Sequence, residues 1–297
     1  MSELSEPQHE LSRRQAILLG GGVLAALAVS GPTSAQQPSP SDSITQLRNA
    51  TLLIHYGGVR FLVDPMLGDV GTYPAAPGSA SSHLRNPLAP LPVPVGEIVD
   101  VDAVIVTHLH ADHWDDAAKA QLPKSMPIFS QNEEDAAKIR LDGFQDVRLL
   151  AETSEFRGVT LSKTRGQHGT DAAMQVIGDR MGKVSGVVFS MPGRKTVYVA
   201  GDTVWNEFVR EAIGKHTPDI IVVNAGNALF LGLDPIIMGT ADVLAVHQAA
   251  PQALLVASHM EALNHCILSR ADLRAFAEKS GFSASLQIPQ DGETIPI

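Results

Sequence analysis

Short apolar runs of four or five residues recur along the chain, and most of them stop at a polar or glycine position. Their length and their content of valine and isoleucine are typical of buried β-strands. Turn residues come shortly after two of the runs, at Gly57-Gly58 and at Pro192-Gly193. The pattern predicts strands over residues 51–54, 59–63, 103–106, 126–129, 187–190, 196–200, 219–223 and 254–257.

Other segments carry apolar residues at helical spacing. The first of these begins with acidic residues in its first turn, which favours the helix dipole and places Asp112 near the N-terminus of a helix. We interpret all of them as helices on the outside of the domain. The predicted helices cover residues 112–121, 133–140, 205–213, 241–249 and 270–279.

The strand pattern occurs twice. A hairpin over residues 51–63 ends at Asp64, and a second over residues 187–200 ends near Asp202. An acidic residue and a further apolar strand follow each hairpin. Two βαβ-like halves predict two sheets packed face to face between layers of helices, an α/β fold of the four-layer αββα sandwich type. Ordinary α/β alternation is the alternative interpretation.

Composition narrows the function classes. The chain has 22 Lys and Arg against 32 Asp and Glu, and 44% of its residues are hydrophobic. This balance is typical of an acidic globular protein and argues against a nucleic-acid surface, which needs a basic stripe to neutralise phosphates. The single cysteine, Cys266, is predicted to be a small buried hydrophobe, although its position beside His265 keeps it near the chemistry described below.

The N-terminal segment has the pattern of an export signal. Arg13 and Arg14 precede an apolar stretch, residues 16–30, that is too short to span a bilayer comfortably, and small residues up to Ala35 offer a cleavage site. We predict export by the twin-arginine machinery to the periplasm or beyond, with no stable membrane insertion after cleavage; an uncleaved anchor is the alternative. The predicted segments are a signal, a Gln/Pro/Ser-rich linker and a catalytic domain, at residues 1–35, 36–44 and 45–297.

Three imidazoles and a carboxylate follow the strand at 103–106 within six residues. His108 and His110 are two apart in an extended segment, so they project to the same side and can share one ion. Asp112 and His113 lie beyond the bend and can reach a second ion. Nitrogen and oxygen ligands without paired thiolates fit zinc or a neighbouring first-row divalent ion.

This motif resembles the H-x-H-x-D-H signature of the metallo-β-lactamase superfamily, which implies the αββα fold by a second route. That family takes further ligands from loops after later strands, and this chain offers His168, Asp202 and His259 in such places. The resemblance covers residues 45 to 290 and implies two zinc ions per chain. By that resemblance one ion is held by His108, His110 and His168, the other by Asp112, His113 and His259, and Asp202 bridges them.

The resemblance also implies a hydrolase that uses a metal-bound hydroxide, with Asp112 positioning the hydroxide and accepting its proton. Asp64, just before a proline, is predicted to orient a metal-binding histidine from the second coordination sphere. Residues 49–54 and 62–65 resemble the opening hairpin of the L-ascorbate phosphate lactonase branch. A small ester or lactone is therefore the leading substrate class.

Three alternatives remain open at this point. An exported β-lactamase would suit the signal, but β-lactamases usually lack a bridging Asp where Asp202 stands. A phosphodiesterase would need more cations than the sequence places near the motif, where Arg165 is the only basic residue close to His168. A non-hydrolytic member of the superfamily is disfavoured because di-iron electron-transfer relatives typically have Glu at the position of His110.

Two long loops are candidates for binding a small-molecule substrate. Residues 65–96 contain seven prolines and resemble a stiff loop that covers an active site. Residues 224–239 carry Phe230 and either form an apolar wall for the substrate or pack in the core or against another subunit. The oligomeric state is not predicted. His55, His83, His216 and His247 have no ligand spacing and are interpreted as structural. The polar candidates for substrate binding are Trp114, Asp115, Asn224 and His265.

Overall fold

A computed structural model describes residues 41–297, so the predicted export signal and most of the predicted linker lie outside the described residues. Strands and helices are numbered here in chain order. The first sheet contains seven strands of the described part, in the spatial order β14-β1-β2-β3-β4-β5-β6. These are β1 (Ser43–Arg48), β2 (Thr51–Tyr56), β3 (Val59–Val63), β4 (Ala103–Val106), β5 (Ile128–Ser130), β6 (Val147–Leu149) and β14 (Thr294–Pro296).

The second sheet repeats this plan in the order β13-β12-β11-β10-β9-β8-β7. In each sheet, part of the ladder is antiparallel and part parallel: β3 to β6 run parallel in the first, and β10 to β13 in the second. The strands of the second sheet are β7 (Ser154–Phe156), β8 (Val159–Arg165), β9 (Ser185–Ser190), β10 (Val197–Val199), β11 (Ile220–Asn224), β12 (Leu254–Ser258) and β13 (Leu286–Gln287).

Helices lie against the outer faces of both sheets. Within residues 41–297, none of them is both long and apolar enough to cross a membrane. A 3-10 turn at Ser283–Ser285 precedes β13. The helices are α1 (Val95–Ile98), α2 (Asp116–Gln121), α3 (Glu133–Leu141), α4 (Asp171–Met181), α5 (Glu207–His216), α6 (Thr240–Ala249) and α7 (Arg270–Lys279).

Strand β4 shows how the sequence produces this layering. Ala103 and Ile105 point into the core between the sheets, while Val104 and Val106 pack with Ala118 of α2. Side chains alternate along a strand, so a strand covered on both faces needs an unbroken apolar run. In the second sheet, the side chains of β11 alternate in the same way. Val222 lies between the two sheets, and the residues on either side of it in the strand pack against α5, α6 and α7. The predicted αββα sandwich is confirmed.

Many of the predicted strand and helix boundaries shift by one to three residues, and two further differences concern α2 and the start of the domain. Helix α2 begins at Asp116, four residues later than predicted, because residues 111–114 form a turn in which the amides of His113 and Trp114 both donate to the His110 carbonyl. Asp115 then caps the helix by accepting from the Ala118 amide. Strand β1 begins at Ser43, two residues before the expected start of the domain, and pairs with β2 and β14.

Several elements were not predicted. The alternation in β8 and the Thr170 N-cap before α4 are signals that could have revealed both elements. Helix α4 matters most for the chemistry, because it forms an apolar cluster with residues of the loop at 224–239, including Phe230 and Ile236. That loop is hydrogen-bonded in turn to the proline-rich loop, through the Ala80 amide and the Leu229 carbonyl.

Candidate active site

The predicted metal ligands converge on one edge of the sandwich, because each follows the end of a strand. The His108–His113 segment leaves β4 of the first sheet, and His168 follows β8 of the second sheet. From the second sheet, Asp202 follows β10 and His259 directly follows β12. Backbone hydrogen bonds anchor the edge where the two sheets meet, since the His259 amide donates to the Asn49 carbonyl in the turn between β1 and β2.

Seven side chains form two adjacent groups, and within each group the candidate ligand atoms lie within 4.8 Å of one another. The first group has three imidazoles, with His108 Nε2 3.1 Å from His110 Nδ1. In the second, His113 Nε2 lies 3.2 Å from His259 Nε2. The first group is His108, His110 and His168, and the second is Asp112, His113, Asp202 and His259.

Asp202 lies between the groups. Its Oδ2 atom is 3.3 Å from His168 Nε2 in the first group and 3.1 Å from His113 Nε2 in the second. Asp112 belongs to the second group alone, with Oδ2 3.2 Å from His259 Nε2. Its side chain is 21% exposed, which leaves the carboxylate accessible from solvent.

The outer nitrogens of the imidazoles are held by acceptors. His113 Nδ1 donates to Asp64 Oδ2 at 2.8 Å, and His168 Nδ1 donates to the Ile236 carbonyl at 2.9 Å. His110 Nε2 donates to the Arg180 carbonyl at 3.0 Å. Because a carbonyl or carboxylate can only accept, these contacts keep the proton on the outer nitrogen and the lone pair facing inward.

Asp64 reaches further into the same loop. Thr107 donates to it from both its amide and its hydroxyl, and the hydroxyl oxygen then accepts from His108 Nδ1 at 3.1 Å. Asp64 itself adopts a left-handed backbone conformation, with φ of 47°, as does His259 with φ of 59°. Such conformations are costly for residues other than glycine and concentrate at functional sites. The structure thus places Asp64 where one carboxylate orients two candidate ligands.

The donor set fits a divalent metal. In the first group, the lone pairs of His108 Nε2 and His110 Nδ1 face each other at 3.1 Å, and they repel one another unless a cation lies between them. Neutral imidazoles with carboxylates are ligands that zinc accepts readily. The cluster can therefore hold metal ions, and its two groups offer room for a pair.

Burial and charge set the protonation states. Burial lowers the pKa of His168 to about 4 and holds the pKa of His108 well below its usual value. Burial alone would raise the pKa of Asp202, but the imidazoles of His113 and His259 outweigh it and hold that pKa well below its usual range. The carboxylates of Asp112 and Asp202 are ionised at neutral pH. A metal ion can therefore bind to them without first displacing a proton.

A cavity of about 360 Å³ opens over the cluster. This volume suits a small organic molecule. Its walls are mostly apolar and come from the proline-rich loop, the end of α4, the loop at 224–239 and the segment after His259. Lining residues outside the cluster include Met66, Tyr73, Pro74, Ala76, Pro77, Asn86, Arg180, Met181, Ala228, Phe230, Ile236, Leu263 and His265.

His265 lies on the cavity wall, held from behind by an amide network. Asn264 Nδ2 donates to the Ser79 hydroxyl and the Ala80 carbonyl, which fixes Asn264 Oδ1 as an acceptor. His265 Nδ1 lies 3.3 Å from that oxygen and must donate to it. The neutral imidazole therefore keeps an acceptor lone pair on Nε2.

The other substrate-binding candidates lie elsewhere. Asn224 is buried beneath the cluster and donates to Asp202 Oδ1 at 2.7 Å; it is not part of the described cavity lining. Trp114 packs in the core with Phe144, and Asp115 caps α2 and accepts from Tyr73. Cys266 is 3.4 Å from His259 Nδ1.

Arg165 does not reach the cavity either. It is exposed and pairs with Glu211. The basic residue that does line the cavity is Arg180, which the sequence reasoning missed because α4 was missed.

A family model described as the Beta-lactamase superfamily domain matches residues 59–260. The chain belongs to this superfamily. UPF0173 protein YddR of Bacillus subtilis is 47% identical over 253 residues, which cover 85% of this chain and 98% of YddR. Because this similarity covers nearly the whole length of YddR, the family assignment rests on more than the metal-binding motif.

Two solved structures are similar over 86% of the chain. The isothiocyanate hydrolase from Delia radicum gut bacteria is 46% identical, with a TM-score of 0.84 and 99% of its own chain covered. A possible metal-dependent hydrolase from Veillonella parvula is 40% identical, with a TM-score of 0.85 and all of its chain covered. The predicted superfamily and enzyme class are confirmed: the protein is a metal-dependent hydrolase.

Proposed function

We propose that the protein is a dinuclear zinc hydrolase that adds water to a small organic electrophile, and that isothiocyanates are its substrates. The observation that carries the proposal is the position of Asp202 Oδ2, within 3.3 Å of an imidazole of each ligand group, at the base of an apolar cavity. One oxygen between two groups is the arrangement that a shared pair of ions needs. The 46% identical isothiocyanate hydrolase supplies the substrate class.

When bound, the two ions supply Lewis acidity and lower the pKa of the attacking water. Asp112 is placed to take the proton of that water, because its carboxylate is ionised, partly exposed and fixed beside His259. The Asn49 side chain donates to the Asp112 carbonyl at 2.9 Å, which holds the backbone of this residue in place.

The reaction balances without a further reagent. Water oxygen bonds to the central carbon of R–N=C=S, and the proton taken by Asp112 passes to the substrate nitrogen, which gives R–NH–C(=S)–OH. The remaining hydroxyl proton then moves from oxygen to sulfur, which gives the tautomer R–NH–C(=O)–SH. Cleavage of the carbon–nitrogen bond, with transfer of the thiol proton to nitrogen, then yields R–NH2 and COS. The apolar walls accommodate R and limit competing water.

Esters and lactones are the second candidate class. The same water attack on a carbonyl carbon needs the same groups, and the apolar walls suit an acyl chain. Phosphodiesters fit less well, since the described lining offers a single Lys or Arg, Arg180, for a charged phosphate. The position of Asp202 between the two ligand groups argues against a β-lactamase, because β-lactamases usually lack a bridging Asp at this place.

Side-by-side kinetics test the proposal. Zinc-reconstituted protein is assayed with benzyl isothiocyanate, a nitrophenyl ester, a lactone, a phosphodiester and a cephalosporin, with amine and carbonyl sulfide measured as products. We expect kcat/KM for the isothiocyanate to exceed the others by roughly tenfold or more. Faster turnover of the ester or lactone would transfer the assignment to the second class.

Metal analysis and an Asp112 variant complete the test. Elemental analysis should find about two zinc ions per chain. Asp112→Asn should lower kcat by roughly a hundredfold or more. Asp116→Asn is the matched control, because Asp116 is an exposed carboxylate on α2, outside the cluster. Full activity of Asp112→Asn, or a metal content far below one ion per chain after reconstitution, would contradict the mechanism.

A further inference from the structure

Arg180 stands in the last turn of α4, and its guanidinium is held at the edge of the cavity on two sides. The guanidinium carbon lies 4.5 Å from the centre of the Phe230 ring. Nη1 donates to the Pro77 carbonyl in the proline-rich loop at 2.9 Å. An aromatic face and a carbonyl thus fix the group before any ligand arrives.

The guanidinium retains unused binding capacity. Within residues 41–297, no carboxylate lies within 4.0 Å of it, whereas Arg165 pairs with Glu211. In the same part of the chain, the Arg180 Nε and Nη2 atoms have no protein acceptor within hydrogen-bonding distance. A guanidinium has five N–H donors, and only one of its nitrogens is used here.

The backbone of Arg180 fixes this group relative to the candidate metal centre. The Arg180 carbonyl accepts from His110 Nε2 at 3.0 Å, so the same residue contacts a candidate ligand and lines the outer cavity. A substrate whose reactive carbon lies at the cluster would extend its tail along Phe230. Its far end would then meet the guanidinium.

We propose that Arg180 selects substrates whose apolar tail ends in a carboxylate. The proposal rests on the proposed function, because it takes the reacting group to lie at the cluster. A planar fork of N–H donors matches the two oxygens of a carboxylate, and a pre-positioned fork loses little conformational freedom on binding. This group adds a charged donor to a cavity wall that is mostly apolar.

A matched pair of substrates tests the selection. One is an aliphatic isothiocyanate that ends in a carboxylate, and the other is the primary amide of the same chain length. Zinc-loaded protein should show a KM roughly tenfold lower for the carboxylate, as expected for a charge-assisted contact. In Arg180→Gln the two KM values should become equal. Arg165→Gln removes the same charge away from the cavity and should retain the preference.

Two outcomes would overturn the proposal. The first is equal KM values for the carboxylate and amide substrates in the unmodified protein. The second is an undiminished preference for the carboxylate substrate in folded Arg180→Gln, which would mean that the carboxylate binds the metal ions instead. If Arg180→Gln does not fold, Arg180→Lys keeps the charge without the fork and should show a smaller preference. In the unmodified protein, the preference should also fall as salt is raised, because the guanidinium is exposed.

A binding measurement separates this proposal from the proposed function. Calorimetry on the zinc-loaded protein compares two unreactive probes, 4-phenylbutyrate and 4-phenylbutanamide. The carboxylate should bind more tightly than the amide by roughly tenfold in the unmodified protein and in Arg165→Gln, and by less in Arg180→Gln. This result would stand even if no isothiocyanate were hydrolysed, whereas isothiocyanate hydrolysis without any Arg180-dependent preference would contradict the selection alone.

Discussion

Asn224 donates a hydrogen bond of 2.7 Å from Nδ2 to Oδ1 of Asp202, and both side chains are buried. The contact turns the other oxygen, Oδ2, toward His168 and His113 at 3.3 and 3.1 Å. Asn224 ends β11 and Asp202 follows β10, so the parallel pairing of these two strands brings the amide to the carboxylate. Asn224 is therefore a positioning residue for the proposed bridge.

Replacing Asn224 with alanine should weaken zinc binding by about 10 to 100-fold, because groups that orient metal ligands typically contribute that much. Competition with a zinc chelator measures the affinity. The matched control is Asn132→Ala, which removes an amide that caps α3 and should lower stability by about 1 kcal/mol without affecting zinc. Unchanged zinc affinity in Asn224→Ala would remove Asn224 from the site.

Gly226 is predicted to be intolerant of any side chain. A Cβ atom there would lie 2.2 Å from the His259 carbonyl oxygen and 2.8 Å from Cys266 Sγ. Gly226→Ala should therefore displace His259, with loss of zinc and a fall in unfolding free energy of about 1–3 kcal/mol. Elemental analysis and denaturant unfolding measure the two effects.

Gly214→Ala is the control for that change. Gly214 lies in α5, and nothing lies within 4 Å of a Cβ built there. The alanine should leave the zinc content unchanged and stabilise the helix by up to about 1 kcal/mol. Equal behaviour of the two alanine variants would show that the close approach at Gly226 has no bearing on the cluster.

Phe230→Ala should raise KM more than it lowers kcat. Phe230 is 5% exposed and forms part of the cavity wall, so it contacts ground state and transition state alike. Steady-state kinetics with the same isothiocyanate, on samples shown to be folded, measure both parameters. Leu231→Ala changes the adjacent residue, which is 69% exposed, and should match the unmodified protein. A pure kcat effect would place Phe230 in the chemistry itself.

Export is a prediction from the sequence alone. Replacing both Arg13 and Arg14 with lysine should retain the protein in the cytoplasm, because the twin-arginine pathway reads that pair. Cell fractionation of the full-length chain measures the distribution, and Gln8→Asn, five residues before the pair, is the control. Unchanged delivery of the double variant would point to a different export route.

The sequence alone determined the sandwich, the superfamily and the identity of the seven candidate ligands. Strands covered on both faces must be apolar throughout, so β4 and β11 could be read directly as buried. The six residues after β4 carry ligands at fixed spacing, and spacing is a local property. His168, Asp202 and His259 could be placed through the resemblance to the superfamily, which takes its later ligands from loops after strands. The strand before His168, β8, was not itself predicted.

The tertiary structure decided what surrounds those ligands. Asn224 was expected to face the substrate, but it bonds to Asp202 instead, because its direction depends on the pairing of β11 with β10. Arg180 lines the cavity because α4 packs against Phe230, a contact between residues 50 positions apart in the chain. Local patterns constrain which residues are buried and which can bind a metal. The directions of side chains on loops depend on packing between distant segments, which no single stretch of sequence encodes.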